Sequence, residues 1–515
     1  MKPEEFEISA DKFEFAQNDG NLRDKELVTK PIGYFKDAWN RFRKNKASIV
    51  AAIIILVLVL FAIFAPFTTP YKVASEDSYL KFCLPKSHLS AATGWDFWDG
   101  CENVSYNKEN FYYYYSMGVE TGHNAVKNQK YTIEKVKKGN VTTTYYNFRF
   151  DTYQKNGVIF MNLSSSQYQD IQRYQNETGI QIFYPITDVT KRPTAIKDEN
   201  DANYWFETTE SGGKSLVKLD TKGNFVNIYE PYSGTDDYNS IRIKGDNNLY
   251  DYAIKNQTGY QVRINYYEYY IYYHTQVLKD GISTPIFVFG STNAGKDILT
   301  CLASGARFSF ILAIVVSTVN LIVGAIYGAI EGYYGGKIDL FMERFVEILS
   351  AVPFMIVISL LRYHMEGTSP ILIVFIAFFL TGWIGMAGRT RMQFYRFKNQ
   401  EYVLAARTLG ASDARIMFKH IFPNSLGTLI TSSVLIIPST IFSESSLSYL
   451  GIINLDTGDI TSVGSLLAGA QAYLTSYPHM MVFPALFICL LMLSFNLFGN
   501  GLRDAFNPSL RGSED

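Results

Sequence analysis

Apolar residues are gathered into a few long runs along this chain. Residues 48–67 read SIVAAIIILVLVLFAIFAPF, without a charge and long enough to cross the hydrocarbon core of a bilayer. After a long polar stretch, further runs at about 308–330, 341–361, 370–388, 425–450 and 482–499 predict five more spanning helices. The first run follows a charged tail, residues 1–47, and has no small-residue cleavage site behind it. It therefore reads as a retained span and not as a signal peptide. Six spans put both termini on one side of the membrane.

The polar stretch between the first and second spans has a different pattern. Within YQVRINYY, Val262 and Ile264 alternate with Arg263 and Asn265, as in a half-buried strand. SLVKLDTKGNFVNIYE carries a turn signal at Lys222-Gly223-Asn224 between two β-prone runs. Such a stretch is too long for a loop, and a β-rich inserted domain is expected over residues 75–285. Of the 37 tyrosines, 27 lie within 71–305, in clusters such as Tyr112 to Tyr115 and Tyr266 to Tyr273. Aromatic rings with polar tips suit ligand contact, but they equally populate strand cores, and the packing role is the favoured expectation.

Composition adds little by itself: 515 residues, 47% apolar, 18% charged, net charge −1, averages that blur two unlike regions. The placement of charge says more. Lys30, Lys36, Arg41, Arg43, Lys44 and Lys46 crowd the start of the first span, basic residues recur through 389–420, and Arg503 and Arg511 follow the last span. Residues 452–481 hold neither Lys nor Arg. The positive-inside rule then makes both termini and the 395–424 loop cytoplasmic, and the insertion and the loop near 456 extracellular. Of the four cysteines, Cys83 and Cys101 share the outer stretch, where an oxidising setting would permit a disulfide.

Residues 401–424, EYVLAARTLGASDARIMFKHIFPN, lie between the fourth and fifth runs. Ala405 and Ala406 would let a partner's surface approach a short helix, Gly410 permits a sharp break after it, and Pro423 can begin the next helix. The basic residues Arg396, Lys398, Arg407, Arg415 and Lys419 would also suit an amphipathic loop resting on anionic lipid. Composition does not choose between a docking plug and a lipid-bound loop.

The spacing Glu401, Ala405-Ala406, Gly410, then Ile421-Phe422-Pro423 resembles the coupling-helix signature of permease subunits in bacterial ATP-binding-cassette importers. With Arg389 and Arg391 before it and His420 to Asn424 after it, the string is similar to the dipeptide and oligopeptide branch. Trp39 to Lys46, Ala65-Pro66, Gly290 to Asp297, Gly305 to Ser309 and Phe495 to Asp504 extend the resemblance over roughly 30–71 and 289–511. It implies an α-helical polytopic membrane protein with the type I importer permease fold, a C-type permease subunit, whose core runs over 289–503 with a cytoplasmic tail at 504–515. Implied partners are a B-type second permease, two cytoplasmic ATPases, membrane lipid, and a lipid-anchored or soluble solute-binding protein. Implied ATPase-coupling residues are Glu401, Ala405, Ala406, Gly410, Ile421 and Pro423. The resemblance leaves the 75–285 insertion without a role. A nickel or other small-solute permease would carry nearly the same motifs. A membrane-anchored ligand-binding or sensor protein, acting through its outer domain, is the reading from another class.

The remaining chemistry is sparse. Gly290 to Lys296 nearly matches a phosphate-binding loop, but Asp297 stands where a hydroxyl would hold magnesium, and the charge pattern puts the segment outside the cell. With no metal-ligand cluster, nucleophile–base set or nucleic-acid signature in the sequence, neither a cofactor nor enzymatic activity is expected. Glu444, inside the fifth run, needs a cavity or polar partners. With Asn496 it is a candidate for an intramembrane network or solute path. Gly499 and Gly501 are expected to allow close packing and to end the last helix.

Overall fold

The computed structural model describes residues 33–138, 140–184, 208–211, 214–217, 241–244 and 249–506. Helix α1 (Tyr34–Lys44) leads into α2 (Lys46–Thr68), with Asn45 between them accepting a hydrogen bond from Ser48 N as the cap of α2. The insertion follows: α3 (His88–Thr93), β1 (Cys101–Asn107), α4 (Lys108–Thr121), β2 (Val126–Lys138), β3 (Val141–Asp151), β4 (Val158–Leu163), α5 (Ser165–Thr178), β5 (Phe183–Tyr184), β6 (Thr208–Ser211), β7 (Lys214–Val217), β8 (Ile241–Lys244), β9 (Tyr250–Lys255), β10 (Tyr260–Asn265) and α6 (Tyr266–Tyr272). The transmembrane core resumes with α7 (Ile298–Tyr334), α8 (Gly336–Ser350), α9 (Phe354–His364), α10 (Pro370–Thr381), α11 (Ile384–Phe397), α12 (Glu401–Thr408), α13 (Asp413–Arg415), α14 (Phe422–Tyr449), α15 (Val463–Ala470) and α16 (His479–Phe506).

Among the described residues, five helices are long and apolar enough to cross a membrane, and a sixth crossing requires that α8 and α9, bent by 71° at their junction, count as one span. The continuous helix predicted at 341–361 is thus broken. Pro353 cannot donate a backbone hydrogen bond, and it drives the residue before it out of the helical region, so α8 ends at Ser350. Further along, α13, a π-helical turn (Ile416–Ile421) and α14 run on as a single helix, Asp413–Tyr449. Pro423 thus stands in the first turn of α14, as expected, but the helical chain before it does not stop there. The wider turn just before it absorbs the bond that its missing N–H cannot make. Gly499 and Gly501 likewise fall inside α16. Each makes a close contact, Gly499 against Leu435 of α14 and Gly501 against Ser48 of α2, so only the packing half of their expected role holds.

The core is organised around α7. At 1.5 Å per residue its 37 residues span about 55 Å, more than a bilayer core. Gly324, Gly328 and Gly332 recur every fourth residue along one of its faces. A Cβ at Gly328 would sit 2.1 Å from the Ala387 carbonyl oxygen, and one at Gly332 would sit 2.7 Å from that of Arg391. The backbone of α11 therefore lies directly on α7, a small-residue seam of the kind that joins helices in lipid. On another side α7 meets α2, α14 and α16 through Leu302, Ala306, Phe310, Ile441, Phe487 and Leu491.

The insertion is α+β, and among the described residues three antiparallel sheets carry the expected β content: β1-β3-β2, β4-β10-β9-β8 with β5 also on β10, and the two-stranded β6-β7. Strand β10 departs from the half-buried expectation, since Val262, Arg263, Ile264 and Asn265 are all buried and both faces are covered. Tyr266 to Tyr273 form helix α6 and the start of a π turn (Tyr273–Val277), with Tyr266, Tyr267, Tyr270 and Tyr272 in the core. Those four rings pack in the core, on a helix in place of a strand. In α4, Tyr114 and Tyr115 pack against the first sheet. The side chain of Tyr112 and the turn at Lys222-Gly223-Asn224 lie outside the described residues.

The glycine seam makes a direct prediction. Gly328→Leu should force α7 off α11 and cost at least about 3 kcal/mol by overpacking. Gly388→Ala, with nothing within 4 Å of the added carbon, should be neutral or slightly stabilising. Thermal unfolding of the two purified variants in the same detergent checks the contrast.

Candidate functional site

The 401–424 segment sits at the end of α7 away from the insertion. Val403 of α12 turns inward and joins Ala329 and Tyr333 of α7, Phe394 of α11, and Ile416, Met417 and Ile421 of the π turn in one buried cluster, and Ala406, one helical turn further on, is buried as well. Gly410 then adopts φ +80°, and Ala411 N donates to Ala406 O at 3.0 Å, closing α12 in the manner of a Schellman motif. Ser412 caps the helix that follows, its Oγ accepting from Arg415 N. This is the break that the sequence predicts at Gly410.

The two alanines have different surroundings. Ala406 is 9% exposed and faces inward, whereas Ala405 is exposed on the outer face with Glu401 and Leu404. Neighbours in a helix are 100° apart, so both could not face one partner. Leu409, at the tip, is 87% exposed, and Phe418 is also exposed. Ile421 is fully buried and Pro423 exposed. Of the six predicted coupling residues, Glu401, Ala405, Gly410 and Pro423 reach the surface, while Ala406 and Ile421 hold the segment from behind.

Polar bonds tie this feature to the spans. Tyr333 Oη donates to Asp413 Oδ1 at 2.6 Å, joining α7 to α13, and Lys398 Nζ donates to Gly332 O at 3.0 Å. Arg391 holds Asp339 of α8 with two bonds of 2.7 and 3.0 Å, and lies 3.0 Å from Glu343 and 3.4 Å from Glu331. Asn424 Nδ2 donates to Tyr402 Oη at 3.2 Å, linking both ends of the segment, and partial burial raises the Tyr402 phenol above its usual pKa. Arg391 stands within the resembling string. Tyr333 and Asp413, far apart in sequence, carry no signal that pairs them.

The other candidate positions separate. Glu444 is fully buried and surrounded by hydroxyls: Ser309 Oγ donates at 2.9 Å, Ser448 Oγ at 3.3 Å and Ser445 Oγ at 3.5 Å. This is a closed network bridging α7 and α14, as a carboxylate inside a membrane requires. Asn496 is exposed on α16 and takes no part in it. Cys83 and Cys101 are not joined and both are free thiols. The Cys83 Sγ points at Thr152 O at 3.5 Å and that of Cys101 at Asp99 O at 3.8 Å, so they are directed at different acceptors. The phosphate-loop lookalike serves as a structural turn: Asp297 caps α7, accepting from Leu299 N and Thr300 N, and burial pushes its carboxyl up to about 6. Among the described residues no His, Cys, Asp or Glu cluster could hold a metal ion.

Two family models match the chain. Residues 33–84 fit the N-terminal TM domain of oligopeptide transport permease C, and residues 320–512 fit the binding-protein-dependent transport system inner membrane component. The chain is 41% identical to the oligopeptide transport system permease protein OppC of Bacillus subtilis over 223 residues, 43% of this chain and 72% of that relative. It belongs to the family of binding-protein-dependent transport system inner membrane components. This transport component is also 39% identical to the dipeptide permease protein DppC of Bacillus subtilis and 40% identical to OppC of Haemophilus influenzae, covering 69% and 70% of them. Neither family model reaches residues 85–319, which hold the whole insertion from α3 to α6. The family context makes the long apolar helices those of a multi-pass membrane protein.

Tyr333→Phe should leave the helices in place, cost about 1 kcal/mol through the lost bond to Asp413, and loosen the 401–424 segment. Hydrogen exchange at 401–415 should quicken in this variant with little change elsewhere.

Proposed function

We propose that this chain is the C-type permease subunit of an oligopeptide importer. It forms half of a membrane path with a related B-type permease, and is non-catalytic. Two ATPase subunits on the cytoplasmic side supply the energy, and a lipid-anchored or soluble binding protein delivers the solute from outside. The peptide assignment rests on the printed names of the relatives, oligopeptide and dipeptide permeases. The charge asymmetry of the sequence supports placing both termini and 401–424 in the cytoplasm, with the insertion outside.

One observation carries the mechanistic reading: Ala405 on α12 and Leu409 just after it face outward from a base held by Val403, Tyr333 and Asp413. A plug held in this way transmits force. When ATP draws two ATPase subunits together, a displacement of α12 passes through the internal cluster and the Tyr333–Asp413 bond into α7, and through the continuous helix Asp413–Tyr449 into the bilayer region. The spans then alternate between openings on the two sides. A lipid-resting loop would need none of this bracing, and its basic residues would have to carry its attachment.

Leu409→Asp should reduce co-purification of the ATPase subunits at least about ten-fold, by placing a charge in an apolar contact, while the melting profile of the permease stays unchanged. Ala405→Trp should do the same through steric block. Ala406→Trp should destabilise the permease itself, because that site is filled from within. Undiminished ATPase capture by both Leu409→Asp and Ala405→Trp would remove the docking role from this face.

A further inference from the structure

At the root of the insertion, between the end of α2 and the start of α7, lies a cavity of about 430 Å³, a size suited to a small-molecule ligand. Its walls include the rings of Tyr71, Tyr79, Tyr269 and Tyr273, and its carboxylates are Glu76, Asp77 and Asp297. No Lys or Arg is among the described residues that line it. The one other basic group on the wall, His274, is engaged by Asp280 at 2.9 Å. Lys296 lies just behind, 3.2 Å from Glu76 and 3.5 Å from Asp456, so its charge is shared by those two carboxylates and does not pair with Asp77.

Asp77 is fixed in place. Its Oδ2 accepts from Tyr266 Oη at 2.6 Å and its Oδ1 from Tyr79 N at 2.9 Å, which leaves each oxygen a free lone-pair direction. Gly295, at φ +78°, lies so close that a Cβ there would sit 1.8 Å from Asp77 O, so the turn before α7 clamps the backbone of the acid. Tyr266, Tyr269, Tyr270 and Tyr273 follow the i, i+3, i+4, i+7 spacing of one helical face. Tyr269 and Tyr273 stack at 6.0 Å, and Tyr273 is 38% exposed at the rim.

We infer that this cavity binds a primary ammonium group carried by a peptide, seated between the tyrosine faces and the Asp77 carboxylate. The ring faces carry negative potential and favour an organic cation. A hard inorganic cation would demand six or more oxygen ligands, and the ring walls do not supply them. A peptide's terminal amine and a lysine side chain share this chemistry, and both would reach the site from the side of the insertion. The ligand class rests on the peptide-import reading, and the ammonium preference rests on the cavity alone. The site would give the insertion a part in capturing or presenting solute at the mouth of the path.

The test titrates the full-length chain in lipid nanodiscs with tetra-alanine, N-acetyl tetra-alanine and N-acetyl tri-alanyl-lysine, reading affinity by calorimetry. The free amine is expected to bind at least about ten-fold more tightly than its acetylated form. Tyr273→Leu, which keeps apolar volume at the rim but removes the ring, should weaken the free amine about five-fold or more without moving the melting temperature. Asp77→Asn should weaken it further. Restoration of affinity by the lysine peptide upholds the site as one for any primary ammonium, and no restoration upholds it for the terminal amine alone. Equal affinity for tetra-alanine and its acetylated form, or an unchanged affinity in Tyr273→Leu and Asp77→Asn, would overturn the inference. ATP-driven uptake by the assembled importer is read in parallel. Peptide import without an amine preference in binding discards the cavity and keeps the transport reading, and an amine preference without peptide import does the reverse.

Discussion

The close approach of α7 and α11 along Gly324, Gly328 and Gly332 is the contact on which the two ends of the protein depend. In lipid there is no gain from hiding apolar side chains, so helices hold together by fit, and three glycines in register let two backbones touch over about two turns. That contact sets Phe394 and Arg391 beside the end of α7. Phe394 completes the cluster that seats α12, and Arg391 gathers Glu331, Asp339 and Glu343 into one ion group that fixes the start of α8. Without the seam, neither the plug nor the turn into the broken span has a base. At the far end the same helix starts from Asp297, within the root of the insertion.

Much of this arrangement was legible in the sequence, and the failures have definite physical causes. Apolar runs located the crossings because a lipid environment tolerates little else. The break at Ala351 to Pro353 was hidden because its apolar residues extended the run, although the proline itself was a visible signal. The order of Glu401, Ala405, Ala406, Gly410, Ile421 and Pro423 was plain in the sequence, but not which of them face outward, because adjacent alanines look alike until the helix is placed against a core. In β10 the alternation of Val262, Arg263, Ile264 and Asn265 suggested a solvated face. Period-two patterning states only that two faces differ, and a second layer covers the polar one here. The tyrosines of 266–273 were legible as core, while their helical spacing was overlooked beside their β propensity. The Tyr333–Asp413 bond was beyond sequence reading altogether, since no local rule connects residues on two separate helices.

The insertion poses a different question: how a permease core accepts a domain of this size between its first and second spans. The chain leaving α2 and the chain returning to α7 run side by side. Phe82 N donates to Thr292 O at 3.2 Å, Ser291 N to Cys83 O at 2.9 Å, and Lys86 N to Phe287 O at 2.9 Å. A domain whose ends lie together can be added at a loop while the host's helix packing stays as it was. Its root is not loosely tethered, however. Phe82 stacks on Tyr477 at 4.4 Å, Phe289 on Phe483 at 4.2 Å, and Trp98 donates its indole N–H to Val288 O.

Those contacts make the root of the insertion part of the transmembrane unit. Lys296, 6% exposed, lies between Glu76, just after α2, and Asp456, in the loop after α14. A buried ammonium is costly unless partnered, so the segments that supply its carboxylates must stay near it for the arrangement to persist. The group therefore bridges three parts of the chain at the end where the insertion stands, as Arg391 bridges three helices at the other. Between the two charge groups runs a single unbroken helix. A rod clamped at both ends cannot tilt at one without stress at the other, so a device that moves α12 acts on the whole length of α7. The fold thereby connects the exposed face of α12 to the base of a domain that neither family model reaches.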